Sequence, residues 1–272
     1  MDLGLRGRTA FVAASSRGLG RAIALELARE GVSLFMCARG GDALRAAAAA
    51  IADETKTVRA SAGANISSAV ADLSTAAGIA SAVDTALERL GRIDILVTNA
   101  GGPPAGPFES HDWSAWQRAV DLTLRSAVEL TRRALPGMRE RKWGRVINVT
   151  SIAVKQPVDN LILSNAVRSA VTGFARTLAN EVAADGVTVN NILPGYTRTE
   201  RVEELADATA AREGGSRSRA DILARFEGQI PMRRLGEPSE FAALAAFLAS
   251  ERASYITGQS IAVDGGWIRS LL

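Results

Sequence analysis

Seven short apolar runs punctuate this chain, and longer helix-patterned segments lie between them. The runs are TAFVAAS (9–15), VSLFMCA (32–38), SSAVADL (67–73), IDILVTNA (93–100), RVINVTS (145–151), VTVNNILPG (187–195) and SIAVDGG (260–266). Strands with near-continuous apolar sequence are covered on both faces, and parallel neighbours are joined by crossover helices. Helical patterns occupy 19–30, 41–54, 74–90, 112–135, 160–183 and 238–250, with Gly31 and Gly91 as stops. Right-handed crossovers then give an α/β chain of one domain, a Rossmann fold with a doubly wound parallel sheet of about seven strands and helices on both faces. No repeat or linker divides residues 1–272, and the polar, Arg- and Glu-rich stretch 197–230 reads as a substrate-side loop or lid.

Composition excludes several function classes. The net charge is only +3, and the densest basic run (Arg132, Arg133, Arg139, Arg141, Lys142, Arg145) is broken by Glu140. It reads as a solvated helix end, too short for a nucleic-acid stripe. Cys37 stands alone in an apolar run and reads as a small core residue; with the single His111, no metal cluster is expected. No run has the length of a membrane span and no signal core opens the chain, so a soluble, cytoplasmic protein is expected.

The first strand leads into AASSRGLGR (13–21). Gly18 and Gly20 admit close backbone approach, and the helix N-terminus beyond offers N–H groups to a pyrophosphate. A full G-x-G-x-x-G has an earlier glycine where this chain has Ala14. After the second strand a ribose-binding acid is missing; Arg39 stands there, and Arg17 lies in the glycine loop. Two guanidinium groups match a 2′-phosphate, so NADP(H) is expected over NAD(H).

With SSRGLG (15–20), ADL (71–73), TNAG (98–101), GRVINVTS (144–151), VTVNNILPGYTRT (187–199) and ITGQSIAVDGG (256–266) in this order, the chain resembles the short-chain dehydrogenase/reductase family over nearly its whole length. It is most similar to the 3-oxoacyl-acyl-carrier-protein reductase branch. The resemblance implies a cofactor site of Ser15, Ser16, Arg17, Gly18, Leu19 and Gly20, with Asp72 and Leu73 at the adenine. It further implies Asn99, Ala100 and Gly101 along the ribose, and Pro194, Gly195, Thr197 and Thr199 at the nicotinamide end. It also implies a homotetramer, built through the helices at 112–135 and 160–184.

The family's catalytic set is Asn, Ser, Tyr and Lys. Here the serine is Ser151, but the tyrosine position holds Ser164, the lysine position Arg168 and the asparagine position Thr123. A serine hydroxyl is a poor general acid near neutral pH, and a guanidinium does not give up its proton there. Arg168 keeps a positive charge that suits ribose hydroxyls. Val167, Val171, Phe174 and Leu178 form a packing stripe on the same helix. Substitute proton sources are Tyr196, beside the nicotinamide segment, and Lys155, four residues past Ser151; alternatively Arg168 and Ser151 stabilise an oxyanion while water supplies the proton. Three functions stay open. One is an NADP(H)-dependent oxidoreductase acting on a small carbonyl or alcohol by a non-standard relay. The second is an inactive cofactor-binding sensor or partner subunit, and the third is a lyase or isomerase on the same scaffold.

Overall fold

Strand β1 (Thr9–Val12) is buried at every residue, and its side chains divide between two cores. Ala10 and Val12 enter one hydrophobic cluster, while Phe11 and Ala13 enter the other. Strand β2 (Ser33–Ala38) repeats this: Leu34 and Met36 face one way, Phe35 and Cys37 the other, and the Phe11 and Phe35 rings meet at 5.3 Å. Alternate side chains of a strand point to opposite faces, so a sheet covered on both sides needs apolar residues at every position. Full burial of each such large side chain contributes about 1.5–3 kcal/mol. Cys37 is buried, and burial pushes its thiol up to about 12, as befits a core residue.

The computed structural model describes residues 2–58, 63–215 and 217–271. The remaining strands are β3 (Ile66–Val70), β4 (Ile95–Thr98), β5 (Gly144–Val149), β6 (Val187–Pro194) and β7 (Ser260–Val263). All pair in parallel in the order β3-β2-β1-β4-β5-β6-β7. The order reverses at β1, so β1 and β4 flank a crevice at their carboxyl ends. The helices are α1 (Gly18–Arg29), α2 (Gly41–Thr55), α3 (Ala76–Leu90), α4 (Trp113–Ala119), α5 (Ser126–Glu140), α6 (Ile162–Val182), α7 (Glu200–Arg212), α8 (Arg219–Gln229) and α9 (Pro238–Ala249). No helix among the described residues is long and apolar enough to cross a membrane, and no group of possible metal ligands occurs among them.

Three expectations are corrected. The helix expected at 112–135 is α4 and α5 joined by a π-turn at Val120–Arg125, and it runs through Pro136 to Glu140. The stretch 197–230 is no loop. It carries α7 and α8, which pack through Val202, Ala206, Ile222 and Phe226, pairs spaced four apart on one face of each helix. Their charges neutralise one another: Arg219 pairs with Glu203 and Asp207, and Arg225 with Glu213. Finally, Arg145 is not a solvated residue. It is 2% exposed, lies over the Trp143 ring at 4.4 Å and donates to the Ser250 and Gly144 carbonyls.

Candidate active site

A cavity of about 660 Å³ opens along the carboxyl ends of β1, β2, β4, β5 and β6. At one end lies the turn from β1 into α1. The N-cap Arg17 makes no side-chain cap, and no acid occupies the first turn of α1, so its leading N–H groups are left for a ligand. Gly20 packs against the Ala14 carbonyl, where a Cβ would collide, and that Cβ would also lie 3.0 Å from Asn99 Nδ2. Ala14 itself adopts φ +48°, the left-handed conformation that glycine tolerates and alanine resists. The fold has therefore kept the shape of a glycine turn after losing the glycine.

Arg17 and Arg39 stand on the rim, both exposed, with Asp72 nearby. The Ser74 N–H and hydroxyl, with Arg39 as the smallest cause, hold the Asp72 carboxyl below the usual range. Among the described residues Arg17 pairs with Glu204, at 3.8 Å, and both side chains are more than half exposed, a contact of little strength. Leu73, Asn99, Ala100 and Gly101 line the wall, and Pro194, Gly195, Thr197 and Thr199 close the far side. Gly195 is required there, because a Cβ would sit 2.7 Å from the Asp264 Cα. An elongated cavity, an uncapped helix N-terminus and two rim cations fit a phosphorylated dinucleotide.

The other end of the cavity is lined by Ser151, Ser164 and Arg168, the expected catalytic residues. Ser151 follows β5; its Oγ accepts from the Ala153 N–H at 3.1 Å and keeps its own proton to donate. Ser164, 7% exposed on α6, accepts from Arg168 Nε at 3.2 Å and likewise keeps a donor. Arg168 is 8% exposed, and its Nη1 donates to the carbonyls of Val149 (3.0 Å) and Thr150 (2.7 Å). The guanidinium thus ties α6 to the end of β5 that carries Ser151. Burial, and then the charge of Arg201, bring its pKa down to about 10, so it remains a cation at neutral pH. The Ser151 hydroxyl donor beside a fixed cation suits a developing oxyanion.

The expected residues do not all reach this cavity. Ser15 is fully buried, with its hydroxyl bonded to the Val12 carbonyl, and Gly20 lies beneath the turn. Thr123 is buried in the π-turn with no partner for its Oγ1, while the neighbouring Leu122 lines the cavity. Lys155 is exposed and lies outside the lining. Tyr196 borders the cavity, but its ring stacks on Phe226 at 4.5 Å and meets Trp267 edge-on at 6.1 Å. Burial raises the pKa of its phenol. Sequence reasoning passed over Ile152, Val158 and Leu161, which form an apolar wall; Gly102 and Arg201, from the GGPPAGP (101–107) and 197–230 stretches expected to shape the pocket, face each other. The first two follow the Ser151 strand in a loop without periodicity, and Arg201 was one of many lid charges.

Beneath the site runs a row of buried polar side chains. Thr98 donates to Asn148 (2.6 Å), Asn148 to Asn191 (3.1 Å) and Asn191 to Ser260 (3.0 Å). These residues are directly paired across β4, β5, β6 and β7. Their register locks the strand ends that present the site, since a buried unpaired amide is costly.

A profile described as enoyl-(acyl carrier protein) reductase matches residues 13–268. The 3-oxoacyl-[acyl-carrier-protein] reductase of Pseudomonas aeruginosa is 33% identical over 98% of this chain and 100% of its own. This chain belongs to the short-chain dehydrogenase/reductase family. The structure of L-sorbose reductase from Gluconobacter frateurii, complexed with NADPH and L-sorbose, superposes with a TM-score of 0.91 at 33% identity and covers 100% of both chains. That of actinorhodin polyketide ketoreductase with NADPH gives 0.89 at 29% identity, over 97% of this chain and 98% of that one. That family relationship makes the chain an oxidoreductase.

Proposed function

We propose that the protein is an NADP(H)-dependent reductase of a small carbonyl compound, similar to 3-oxoacyl reductases and working by a non-standard proton relay. The observation that carries this reading is the cavity, with an uncapped helix N-terminus and two rim arginines at one end and Ser151, Ser164 and Arg168 at the other. The NADPH held by two similar structures supports the same cofactor here. Arg39 and Arg17 would meet the 2′-phosphate, the α1 N–H groups the pyrophosphate, and Asn99 to Gly101 the ribose. Bound in this way, the reduced nicotinamide supplies a hydride to the carbonyl carbon and becomes NADP+, while the carbonyl oxygen gains a proton and an alcohol results.

The residues of this chain then have separable tasks. Ser151 orients the carbonyl through its free O–H. Arg168 stabilises negative charge on the oxygen and fixes the end of β5. The proton comes from water, because neither serine nor arginine is an acid near neutral pH and Tyr196 is held in the lid stack with a raised pKa. The test is NADPH binding by fluorescence, followed by NADPH oxidation over a panel of β-ketoesters, quinones and ketosteroids.

A second reading is a cofactor-binding protein without turnover, acting as a sensor or partner subunit. The hydrogen bonds of Arg168 to Ser164, Val149 and Thr150 favour it, since the family's lysine position then serves structure. Tight NADPH binding with no oxidation across the panel selects this alternative.

A further inference from the structure

Arg168 is a buried cation without a counter-ion. Its hydrogen bonds go to one hydroxyl and two carbonyls, and it forms no ion pair among the described residues. Buried charges in proteins are ordinarily paired, because desolvation without compensation costs several kcal/mol. A second guanidinium shares its cavity. Arg201, on the first turn of α7, donates from Nη2 to the Pro103 carbonyl at 2.9 Å. Its plane lies against Gly102: a Cβ there would be 2.6–2.8 Å from Nη2, Nε and Cζ. Only a glycine leaves that berth open. Glu204, the one acid paired with Arg201, is about half exposed, stands 3.5 Å away and is shared with Arg17. It screens Arg201 weakly and does not reach Arg168. Arg168 and Arg201 both line this cavity, and the positive charge of Arg201 adds to burial in lowering the Arg168 pKa. The wall next to them, Ile152, Val158 and Leu161, is apolar and offers a carbon chain but no anion.

We propose that Arg168 and Arg201 form a clamp for a carboxylate on the substrate, so that the protein acts on keto acids, or the matching hydroxy acids, in preference to neutral ketones. The inference rests on the reductase reading for its carbonyl, and on the two arginines alone for its anion. A planar carboxylate matches guanidinium donors well. The unpaired Nη2 of Arg168 and the half-exposed edge of Arg201 are the donors left for it. The phosphates of the cofactor are the competing source of negative charge, and the experiment separates the two.

Acetoacetate and acetoacetamide have nearly the same shape and differ in charge. Each is titrated by calorimetry into the full chain saturated with NADP+, a complex that cannot reduce them. Acetoacetate should bind at least about tenfold more tightly. Arg201→Ala should bring the two within about twofold while NADP+ affinity stays unchanged. Gly102→Val, which displaces the guanidinium without removing its charge, should also weaken the preference. Equal binding of the pair, no saturable binding of acetoacetate, or a preference that survives Arg201→Ala overturns the clamp. A loss of NADP+ affinity in Arg201→Ala also overturns it and assigns the arginines to the cofactor phosphates. If NADP+ does not bind, the reductase reading falls, and the same titration of the chain alone decides the clamp. Preference for acetoacetate without NADPH oxidation likewise removes the reductase and leaves the clamp; equal oxidation rates with both compounds do the reverse.

Discussion

Arg168 Nε donates to Ser164 Oγ at 3.2 Å across one turn of α6. The same guanidinium, through Nη1 on the Val149 and Thr150 carbonyls, ties α6 to the strand end that carries Ser151, a link that does not pass through Ser164. Ser151→Ala and Arg168→Ala should each lower kcat/KM about 10²-fold or more, roughly 2.7 kcal/mol of barrier. Ser164→Ala should change it by less than about threefold, because its hydroxyl carries no proton-transfer step in this reading. Steady-state kinetics on any carbonyl found to turn over checks all three.

Restoring the family pair is the converse experiment. Ser164→Tyr with Arg168→Lys should create or raise ketone reduction, since a phenol beside an ammonium is a competent acid. Tyr196→Phe in the parent should leave the rate within about threefold, because the lid stack holds that ring. A large loss in Tyr196→Phe at constant NADPH affinity would make Tyr196 the acid.

Cofactor choice depends on the rim. NADPH should bind more tightly than NADH, and Arg39→Asp should shift the preference toward NADH by adding a diol acceptor and removing a phosphate partner. Fluorescence titration with both nucleotides measures this, and equal affinities in the parent protein count against it.

Ala14 carries a left-handed backbone at φ +48°. Ala14→Gly should raise stability by about 1 kcal/mol, less the added entropy of the unfolded chain, and tighten NADPH binding. Gly20→Ala should do the opposite, as its Cβ would strike the Ala14 carbonyl. Thermal melts with and without NADPH read both.

Glu240 anchors the segment that packs against the Tyr196 loop. It accepts from Arg234 through both oxygens, at 2.6 and 2.7 Å, and from the Glu237 N–H at 2.8 Å. Gly236 in turn donates to the Tyr196 carbonyl at 3.0 Å. The Arg234 side chain, and then the Glu237 N–H, lower the Glu240 carboxyl from 4.5 to about 2. A depressed acid stabilises the fold above its unfolded pKa and loses that contribution as pH falls through the folded value. Glu240→Gln should therefore melt earlier at pH 7, with the difference shrinking between about pH 4.5 and 2. A difference that does not shrink would assign the effect to packing.

We further propose a homotetramer. Phe108 and Trp113, at and before the start of α4, are 64% and 77% exposed, and Leu271 near the C-terminus is fully exposed. Apolar side chains displayed in this way suit subunit contacts. Light scattering at micromolar concentration should give four times the 28.5 kDa chain mass; a monomer there counts against it.

Much of the fold was legible in the sequence because periodicity reports burial. A strand apolar on both faces has few homes besides a covered parallel sheet, and the glycines at 18, 20 and 195 mark backbone that tolerates no Cβ or needs positive φ. The resemblance pointed to the turn at 15–20 and to Ser151, Ser164 and Arg168, and the structure brings most of these to one cavity. What only the tertiary structure decided is how those residues spend their hydrogen bonds. The sequence gives Arg168 a positive charge near the site, but only the packing of α6 against β5 shows that the Val149 and Thr150 carbonyls take the donors of its Nη1. Tyr196 stood beside the nicotinamide segment in sequence, but α8 and the C-terminal turn supply Phe226 and Trp267 to hold its ring. Arg201 was one charge among many in a polar stretch until α7 laid it over Gly102, 99 residues earlier in the chain. Local pattern fixes which faces are buried; which polar atoms meet across elements depends on distances that no spacing in the chain encodes.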